Sequence, residues 1–128
     1  MRLLLDTHIL IWTLSNPARL KPSTRALLED PSHQVLFSAA SVWEMAIKVA
    51  LGRIDFQVSP EAMIDAALES GFVELPLLSV VALRVAALPL HHGDPFDRLL
   101  VAQAMAEPAR LVTADAQLEV YSELVMRV

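Results

Sequence analysis

The stretch RLLLDTHILIWTLS, residues 2–15, joins two apolar segments of different periodicity through one acid. RLLL (2–5) is a short continuous apolar run, typical of a buried strand, and it ends at Asp6. THILIWTLS (7–15) instead has the spacing of a helix. A strand followed by an acid and a helix is the first half of a β-α-β unit, so this stretch predicts an α/β fold if the alternation continues.

The rest of the chain repeats this alternation. Further strands are predicted at QVLFSA (34–39), FVELP (72–76), ARLVTA (109–114) and ELVMRV (123–128). Helices are predicted within NPARLKPSTRALLEDP (16–31) and at VWEMAIKVALG (42–52), SPEAMIDAALESG (59–71), SVVALRVAAL (79–88), DPFDRLLVAQAMA (94–106) and DAQLEVY (115–121). The pattern predicts a parallel sheet with helices on both faces. Right-handed crossovers would bring the carboxyl ends of the strands to one edge, where ligands bind in such sheets.

Serines before several of these helices are candidate caps. Ser23 is predicted to cap the helix within residues 16–31, and Ser59 the helix at 59–71. Ser38 and Ser41 are alternative caps for the helix that contains Glu44, and Glu44 is predicted to lie in its first turn.

Composition narrows the class of protein. The 128 residues fit one domain, 1–128, with one core, and 55% hydrophobic residues with only 3 Gly argue against disorder. The apolar runs are too short for a membrane span. The chain has no cysteine, which excludes disulfides and thiolate metal sites and is compatible with the cytoplasm. The net charge of −5 means that a nucleic-acid partner would need bridging cations or a local basic patch.

Four acids are predicted at the ligand-binding edge of the sheet. Asp6 and Asp115 follow strands, and Glu44 and Asp97 lie near helix starts. Carboxylates gathered at one point repel one another, and a divalent cation removes the conflict. Oxygen ligands favour Mg²⁺ or Mn²⁺, and a pair of such ions about 3.5–4 Å apart can promote an in-line displacement at phosphorus.

Each acid also has a purely structural interpretation. Asp6 and Asp115 are each placed to cap the helix that follows. Asp94 and Asp97 fit a capping arrangement around Pro95. Glu44 precedes Lys48 by four residues, the spacing of a surface ion pair worth a few tenths of a kcal/mol. Only the convergence of all four acids at one edge distinguishes a metal site from four separate caps and surface charges.

Four segments carry a resemblance to a known family: LLLDTHILIW (3–12), SAASVWEMAIK (38–48), HHGDPFDRLLVAQA (91–104) and LVTADAQL (111–118). Through their order and spacing the chain resembles, from end to end, PIN-domain ribonucleases of the VapC toxin type. The resemblance implies a three-layer α/β/α domain with a central, mostly parallel sheet. It also implies a metal-dependent endoribonuclease, the toxin of a type II toxin–antitoxin pair, that hydrolyses RNA with a metal-activated water and Mg²⁺ or Mn²⁺ as cofactor.

Residue by residue, the resemblance implies four catalytic and metal-binding acids: Asp6, Glu44, Asp97 and Asp115. It places four further side chains beside the substrate or behind the acids: Thr7, Thr113, His92 and Arg98. Asp94 is typical of the DPFDR subgroup and is interpreted as a cap. His91 and His92 are expected to touch substrate or to shape their loop. Trp12 and Trp43 are expected in the core or at an interface.

The resemblance also implies partners. These are an RNA substrate, with structured RNA such as tRNA as one option, a small antitoxin of the VapB or a similar type, and a second copy of the chain in a homodimer. No membrane partner is expected, and the location is the cytoplasm. The alternative hypothesis is a catalytically silent PIN-like module that binds RNA or a protein partner without cutting.

Overall fold

A five-stranded, wholly parallel sheet forms the centre of the computed structural model, which describes all residues, Met1–Val128. The strands are β1 (Arg2–Leu5), β2 (Gln34–Ser38), β3 (Val73–Leu75), β4 (Arg110–Thr113) and β5 (Val125–Arg127). They lie in the order β3-β2-β1-β4-β5. Leu4 of β1 pairs with Leu36 on one side and Leu111 on the other. The predicted parallel sheet is confirmed, and β1 lies at its centre.

Six helices connect the strands: α1 (Thr7–Ser15), α2 (Pro22–Glu29), α3 (Ala39–Ala50), α4 (Pro60–Glu69), α5 (Ser79–Arg84) and α6 (Pro95–Ala106). Three 3₁₀ segments lie between the helices, Pro17–Arg19, Ile54–Phe56 and Val85–Ala87, and a fourth, Ala116–Tyr121, connects β4 to β5. The helix predicted at 79–88 is therefore α5 followed by a 3₁₀ segment. The helix predicted at 115–121 is a 3₁₀ segment.

Side chains of the sheet alternate between two apolar cores. Leu3 and Leu5 of β1 belong to one core, which α1, α3 and α4 cover. Leu4 belongs to the other, which α6 covers. All three leucines are fully buried, and each such burial stabilises the fold by about 2 kcal/mol. Helices cover both faces, so the expected three-layer α/β/α architecture is confirmed.

Two predicted helix starts change in the structure. Ser23 is not a cap, because α2 begins one residue earlier at Pro22, whose fixed φ suits the first helical position. Of the two alternative caps for α3, Ser38 is used: its Oγ accepts from the amide of Ala40 at 2.9 Å. Because α3 begins at Ala39, the prediction that Glu44 lies in the first turn was wrong, and Glu44 lies in the second.

Gly52 and Gly71 come just after α3 and α4 with φ of 72° and 84°, the left-handed conformation that glycine adopts without strain. No helix reaches the length and hydropathy that crossing a membrane requires.

Candidate active site

The adjacent carboxyl ends of β1 and β4 hold the first two acids. Asp6 follows β1 directly, and Asp115 lies two residues beyond β4. Thr113, at the end of β4 and fully buried, joins them. Its hydroxyl donates to Asp6 Oδ2 and accepts from the Asp115 amide at 3.0 Å. One threonine therefore sets the position of both acids relative to the sheet.

Asp6 also caps a helix, as its structural interpretation proposed. Its Oδ1 accepts from the Ile9 amide at 2.9 Å, and the residue is only 6% exposed. Burial raises the pKa of Asp6, and the hydrogen bonds from Thr113 and Ile9 oppose this only in part. Capping and ligation are compatible here, because each carboxylate oxygen has a second lone pair.

Glu44 is the third acid, and it is buried rather than superficial. It is 2% exposed, Thr7 donates to its Oε1 at 2.6 Å, and Lys48 donates to its Oε2 at 2.6 Å. The Lys48 ammonium also lies 4.8 Å from the centre of the Phe56 ring. The interpretation of Glu44 and Lys48 as a surface pair was therefore wrong. The spacing of four residues brings the two groups together, but residues far along the chain enclose them.

Removing Lys48 is expected to lower the free energy of unfolding by about 3 kcal/mol, because the buried Glu44 carboxylate loses its counter-charge. Urea unfolding of Lys48→Met, of Glu44→Gln and of the double variant forms a cycle in which the double variant recovers most of the loss. A loss below about 0.5 kcal/mol for Lys48→Met, the size expected of an exposed pair, would contradict this account.

Asp97 is the fourth acid and lies in the first turn of α6. Asp94 caps this helix, since its Oδ1 accepts from the amides of Phe96 at 2.9 Å and Asp97 at 3.3 Å. The cap thus positions the Asp97 backbone and leaves its carboxylate to point elsewhere. The side chain of His92 faces that carboxylate, with 3.5 Å between Nε2 and Asp97 Oδ2.

The negative charges of the site affect the pKa of Asp97. Burial raises the pKa of Asp97 to about 7, and the negative charges of Asp94, Asp6 and Glu44 add to the effect, while His92 opposes it. The carboxylates are therefore close enough to disfavour one another's ionisation. A cation between them would remove this cost.

His92 completes a second cluster with two of the acids. One side-chain nitrogen or oxygen atom from each of His92, Asp97 and Asp115 lies within 4.8 Å of the other two. His92 Nε2 is 3.0 Å from Asp115 Oδ2. The neighbouring His91 instead packs edge-on against Tyr121, with ring centres 5.3 Å apart. The two histidines thus point apart, and only His92 reaches the acids.

A cleft of about 300 Å³ opens beside the acids, lined by Asp6, His8, Trp12, Ala114 and Asp115. Trp12 is half-buried and both lines the cleft and packs against the core. The Arg19 guanidinium lies 4.4 Å from the centre of its ring. The cleft gives a substrate access to two of the four acids.

Other residues singled out from the sequence lie outside the acidic cluster. Arg98 donates to the carbonyls of Val85 and Leu88 at 3.0 Å, so it braces the segment that precedes α6. Trp43 is 54% exposed and packs edge-on against Phe96. Of the two expected positions, core or interface, the core is therefore excluded and the interface stays a prediction.

Sequence reasoning overlooked two side chains of the site. Ser41 Oγ lies 3.0 Å from the Thr7 hydroxyl behind Glu44. The Tyr121 hydroxyl accepts from the backbone amide of His92 at 2.8 Å. The sequence suggests a helix cap for Ser41 and a helical position for Tyr121, and neither pattern signals these contacts, because the partners are distant along the chain.

The chain has an acidic pocket at the carboxyl edge of the parallel sheet in a three-layer α/β/α fold. A comparison with family models identifies the class of protein to which this arrangement belongs. The model described as PIN domain matches residues 3–124, so the chain belongs to the PIN domain family. It is similar to Ribonuclease VapC22 of Mycobacterium tuberculosis (strain ATCC 25618 / H37Rv), with 30% identity over 115 residues, which cover 90% of this chain and 88% of the relative. The resemblance to VapC-type PIN proteins is thereby confirmed.

Two solved structures share the fold. A crystal structure of VapBC2 from Rickettsia felis, bound to a DNA fragment from their promoter, matches with a TM-score of 0.69 and 18% identity, covering 100% of this chain and 98% of that chain. A domain of a functionally unknown protein from Methanocaldococcus jannaschii DSM 2661 matches with a TM-score of 0.61 and 17% identity, covering 98% and 87% of the two chains.

Proposed function

We propose that this chain is a metal-dependent endoribonuclease, the toxin of a toxin–antitoxin pair, that hydrolyses RNA in the acidic pocket. The catalytic residues of the proposal are Asp6, Glu44, Asp97 and Asp115. Membership of the PIN domain family and similarity to a VapC ribonuclease support the reaction class. The proposal includes a cytoplasmic location.

The observation that carries the proposal is that buried carboxylic acids lie close together, so that the ionisation of one disfavours the ionisation of the others. Asp97 has a pKa of about 7 and Asp6 has a raised pKa, and burial is the main cause for both. The four acids offer only oxygen donors, the ligands that Mg²⁺ and Mn²⁺ prefer. When bound, one or two such ions would supply Lewis acidity that activates water and offsets the charge of the scissile phosphate.

The chain itself contributes a pocket that is organised before substrate arrives. Thr113 fixes Asp6 and the Asp115 backbone, and Thr7 holds one oxygen of Glu44. Prepositioned groups lower the barrier because little reorganisation remains during the reaction. The Asp97 carboxylate has fewer contacts with donors than the other three acids, so a bound cation would stabilise its charge most.

Replacing Asp6 tests the proposal against the alternative of a silent binding module. Asp6→Asn keeps the helix cap, because asparagine caps as well as aspartate, but removes the charge. We expect wild type to cut RNA in the presence of Mg²⁺ or Mn²⁺ and to stop when EDTA is added. We expect Asp6→Asn to lose about 10³-fold or more in rate, as the removal of several kcal/mol of metal-supplied stabilisation implies.

Asp65→Asn is the matched control, since Asp65 is exposed on α4 and does not line the cleft beside the acids. It should cut RNA at the wild-type rate. Circular dichroism of all three proteins verifies the fold. Wild type that binds RNA without cutting it under any divalent ion would instead favour the silent module.

The proposal includes protein partners, namely a small antitoxin and a second copy of this chain. Large apolar side chains left exposed by the fold support it, among them Val80 and Leu83 on α5 and Met105 on α6. Helices α5 and α6 pack on each other, so these side chains belong to one region of the surface. Light scattering of the purified chain measures the oligomeric state. As for the RNA, cleavage of tRNA compared with unstructured RNA tests the option of a structured substrate.

A further inference from the structure

We propose that His92 positions Asp115 by donating a hydrogen bond from Nε2, and that it is not a metal ligand although it lies among the acids. The inference rests on the proposed metal-dependent function for its consequence, but its geometry stands on the hydrogen bonds that the structure shows. His92 lies in the loop before α6, and Asp115 follows β4, 23 residues further along the chain.

The Nδ1 side of the ring decides the tautomer. The backbone amide of Asp94 donates to His92 Nδ1 at 3.0 Å. An amide can donate only to a nitrogen that carries no proton, so the proton of the neutral ring is on Nε2. Rotating the ring by half a turn would put carbon atoms at both polar contacts, so the ring orientation is settled by the same two bonds.

The Nε2 side faces an acceptor. Asp115 Oδ2 lies 3.0 Å away, and an ionised carboxylate only accepts hydrogen bonds. To bind a metal, Nε2 would have to give up its proton to Nδ1, which would then face the Asp94 amide, donor against donor. Histidine ligands in proteins have the opposite arrangement, with the second nitrogen donating to a carbonyl or carboxylate. His92 is therefore built to donate.

The backbone of the same loop is tied to the same partner segment. The Tyr121 hydroxyl accepts from the amides of His92 at 2.8 Å and His91 at 3.1 Å. Tyr121 ends the 3₁₀ segment Ala116–Tyr121, which Asp115 begins by capping the Gln117 amide at 2.9 Å. Two connections thus join the loop to this segment, one through the histidine ring and one through the tyrosine.

The consequence is a fixed spacing between Asp97 and Asp115, two acids on separate elements. His92 Nε2 lies 3.0 Å from Asp115 Oδ2 and 3.5 Å from Asp97 Oδ2, so the nitrogen that donates to Asp115 also faces Asp97. A donor at this point sets the direction of the Asp115 carboxylate and leaves its remaining lone pairs for a cation. Supporting groups of this kind typically change metal affinity by about 10–100-fold when removed.

The DPFD motif gains a second task from this arrangement. The Asp94 side chain begins α6, and its amide selects the tautomer of the preceding histidine. The helix start and the orientation of His92 are thus set by one residue.

Nitrogen-15 NMR of the histidine-labelled chain tests the tautomer directly, with His92 assigned by the loss of its signals in His92→Gln. We expect the Nε2–H tautomer in EDTA at pH 8 and the same tautomer after saturation with Mg²⁺. The Nδ1–H tautomer, or a shift of Nε2 to the range of a metal-bound nitrogen, would overturn the proposal.

Calorimetric titration of Mn²⁺ into two variants separates positioning from a merely structural role. Glutamine carries an amide donor at the end of its side chain and can replace Nε2–H, whereas asparagine is too short. We expect His92→Gln to bind Mn²⁺ within about threefold of wild type and His92→Asn about 10–100-fold more weakly. Equal affinities for the two variants would contradict donation. A chain that shows the expected tautomer and affinities but cuts no RNA would refute the ribonuclease proposal and leave the role of His92 intact.

Discussion

Asp97→Asn is expected to abolish RNA cleavage and, at the same time, to make the metal-free protein more stable. The two effects have one cause, the ionised carboxylate held among other acids. The pKa of Asp97 is raised from 3.8 to about 7, mainly by burial. An acid with a raised pKa stabilises the fold only while it is protonated. Its contribution is complete below about pH 3.8 and is lost as pH rises through about 7.

At pH 8 Asp97 is ionised, and its charge therefore destabilises the fold of the metal-free wild type. The full difference in pKa corresponds to about 4 kcal/mol, and relaxation of the partly exposed site reduces what a variant recovers. We expect Asp97→Asn to raise the free energy of unfolding by about 1–3 kcal/mol in EDTA at pH 8, and by much less at pH 5. Cleavage should fall by about 10³-fold or more.

Urea unfolding at the two pH values, together with cleavage rates in Mg²⁺, measures both effects. Asp65→Asn, the exposed control, should change neither. If Asp97→Asn were less stable than wild type at pH 8, the carboxylate would be a structural group, and the helix-cap interpretation of DPFD would suffice. Opposite signs for stability and activity are the mark of a group kept for function at the expense of the fold.

The parts of this structure that sequence reasoning predicted are those that depend on neighbours in the chain. A buried strand followed at once by Asp6 needs only the apolar run of residues 3–5 to be recognised. The parallel sheet then follows from alternation, and the common edge follows from right-handed crossovers. Asp6 and Asp115 could be placed near each other this way, because β1 and β4 end at the same edge.

What sequence reasoning missed depends on contacts between distant segments. The spacing of Glu44 and Lys48 indicates proximity but carries no information on burial. Burial comes partly from Phe56, which lies beyond the end of α3. His92 could be seen as a candidate, but its role depends on a hydrogen bond to Asp115 across the site. Trp43 was expected in the core or at an interface, and no local pattern in the sequence shows that its side chain is exposed.

Capping and ligation, posed as alternatives from the sequence, are not exclusive in the structure. Asp6 caps α1 with Oδ1 while Oδ2 accepts from Thr113, and Asp115 caps its 3₁₀ segment with Oδ1 while Oδ2 faces His92. Asp94 is the simpler case, since its observed bonds begin α6. A cap holds a carboxylate still, which is also what a ligand requires.

Affinity for Mn²⁺ is expected to depend steeply on pH below about 7, because the metal must displace a proton from Asp97. Affinity should fall by about tenfold for each pH unit below that value, and the raised pKa of Asp6 adds to the slope where that group also takes up a proton. Above about pH 8 the affinity should level off. Binding at pH 6 should release protons, which titrations in buffers of different ionisation enthalpy detect.

The same linkage predicts how metal stabilises the fold. Because ionised Asp97 destabilises the metal-free protein at high pH, Mn²⁺ should raise the melting temperature far more at pH 8 than at pH 5.5. Asp97→Asn should show a small metal effect at both values. An affinity for Mn²⁺ that is unchanged between pH 6 and pH 8 would mean that the carboxylate does not exchange its proton for the ion. The acids would then be mutually repelling structural groups, and the cation would bind elsewhere on the chain.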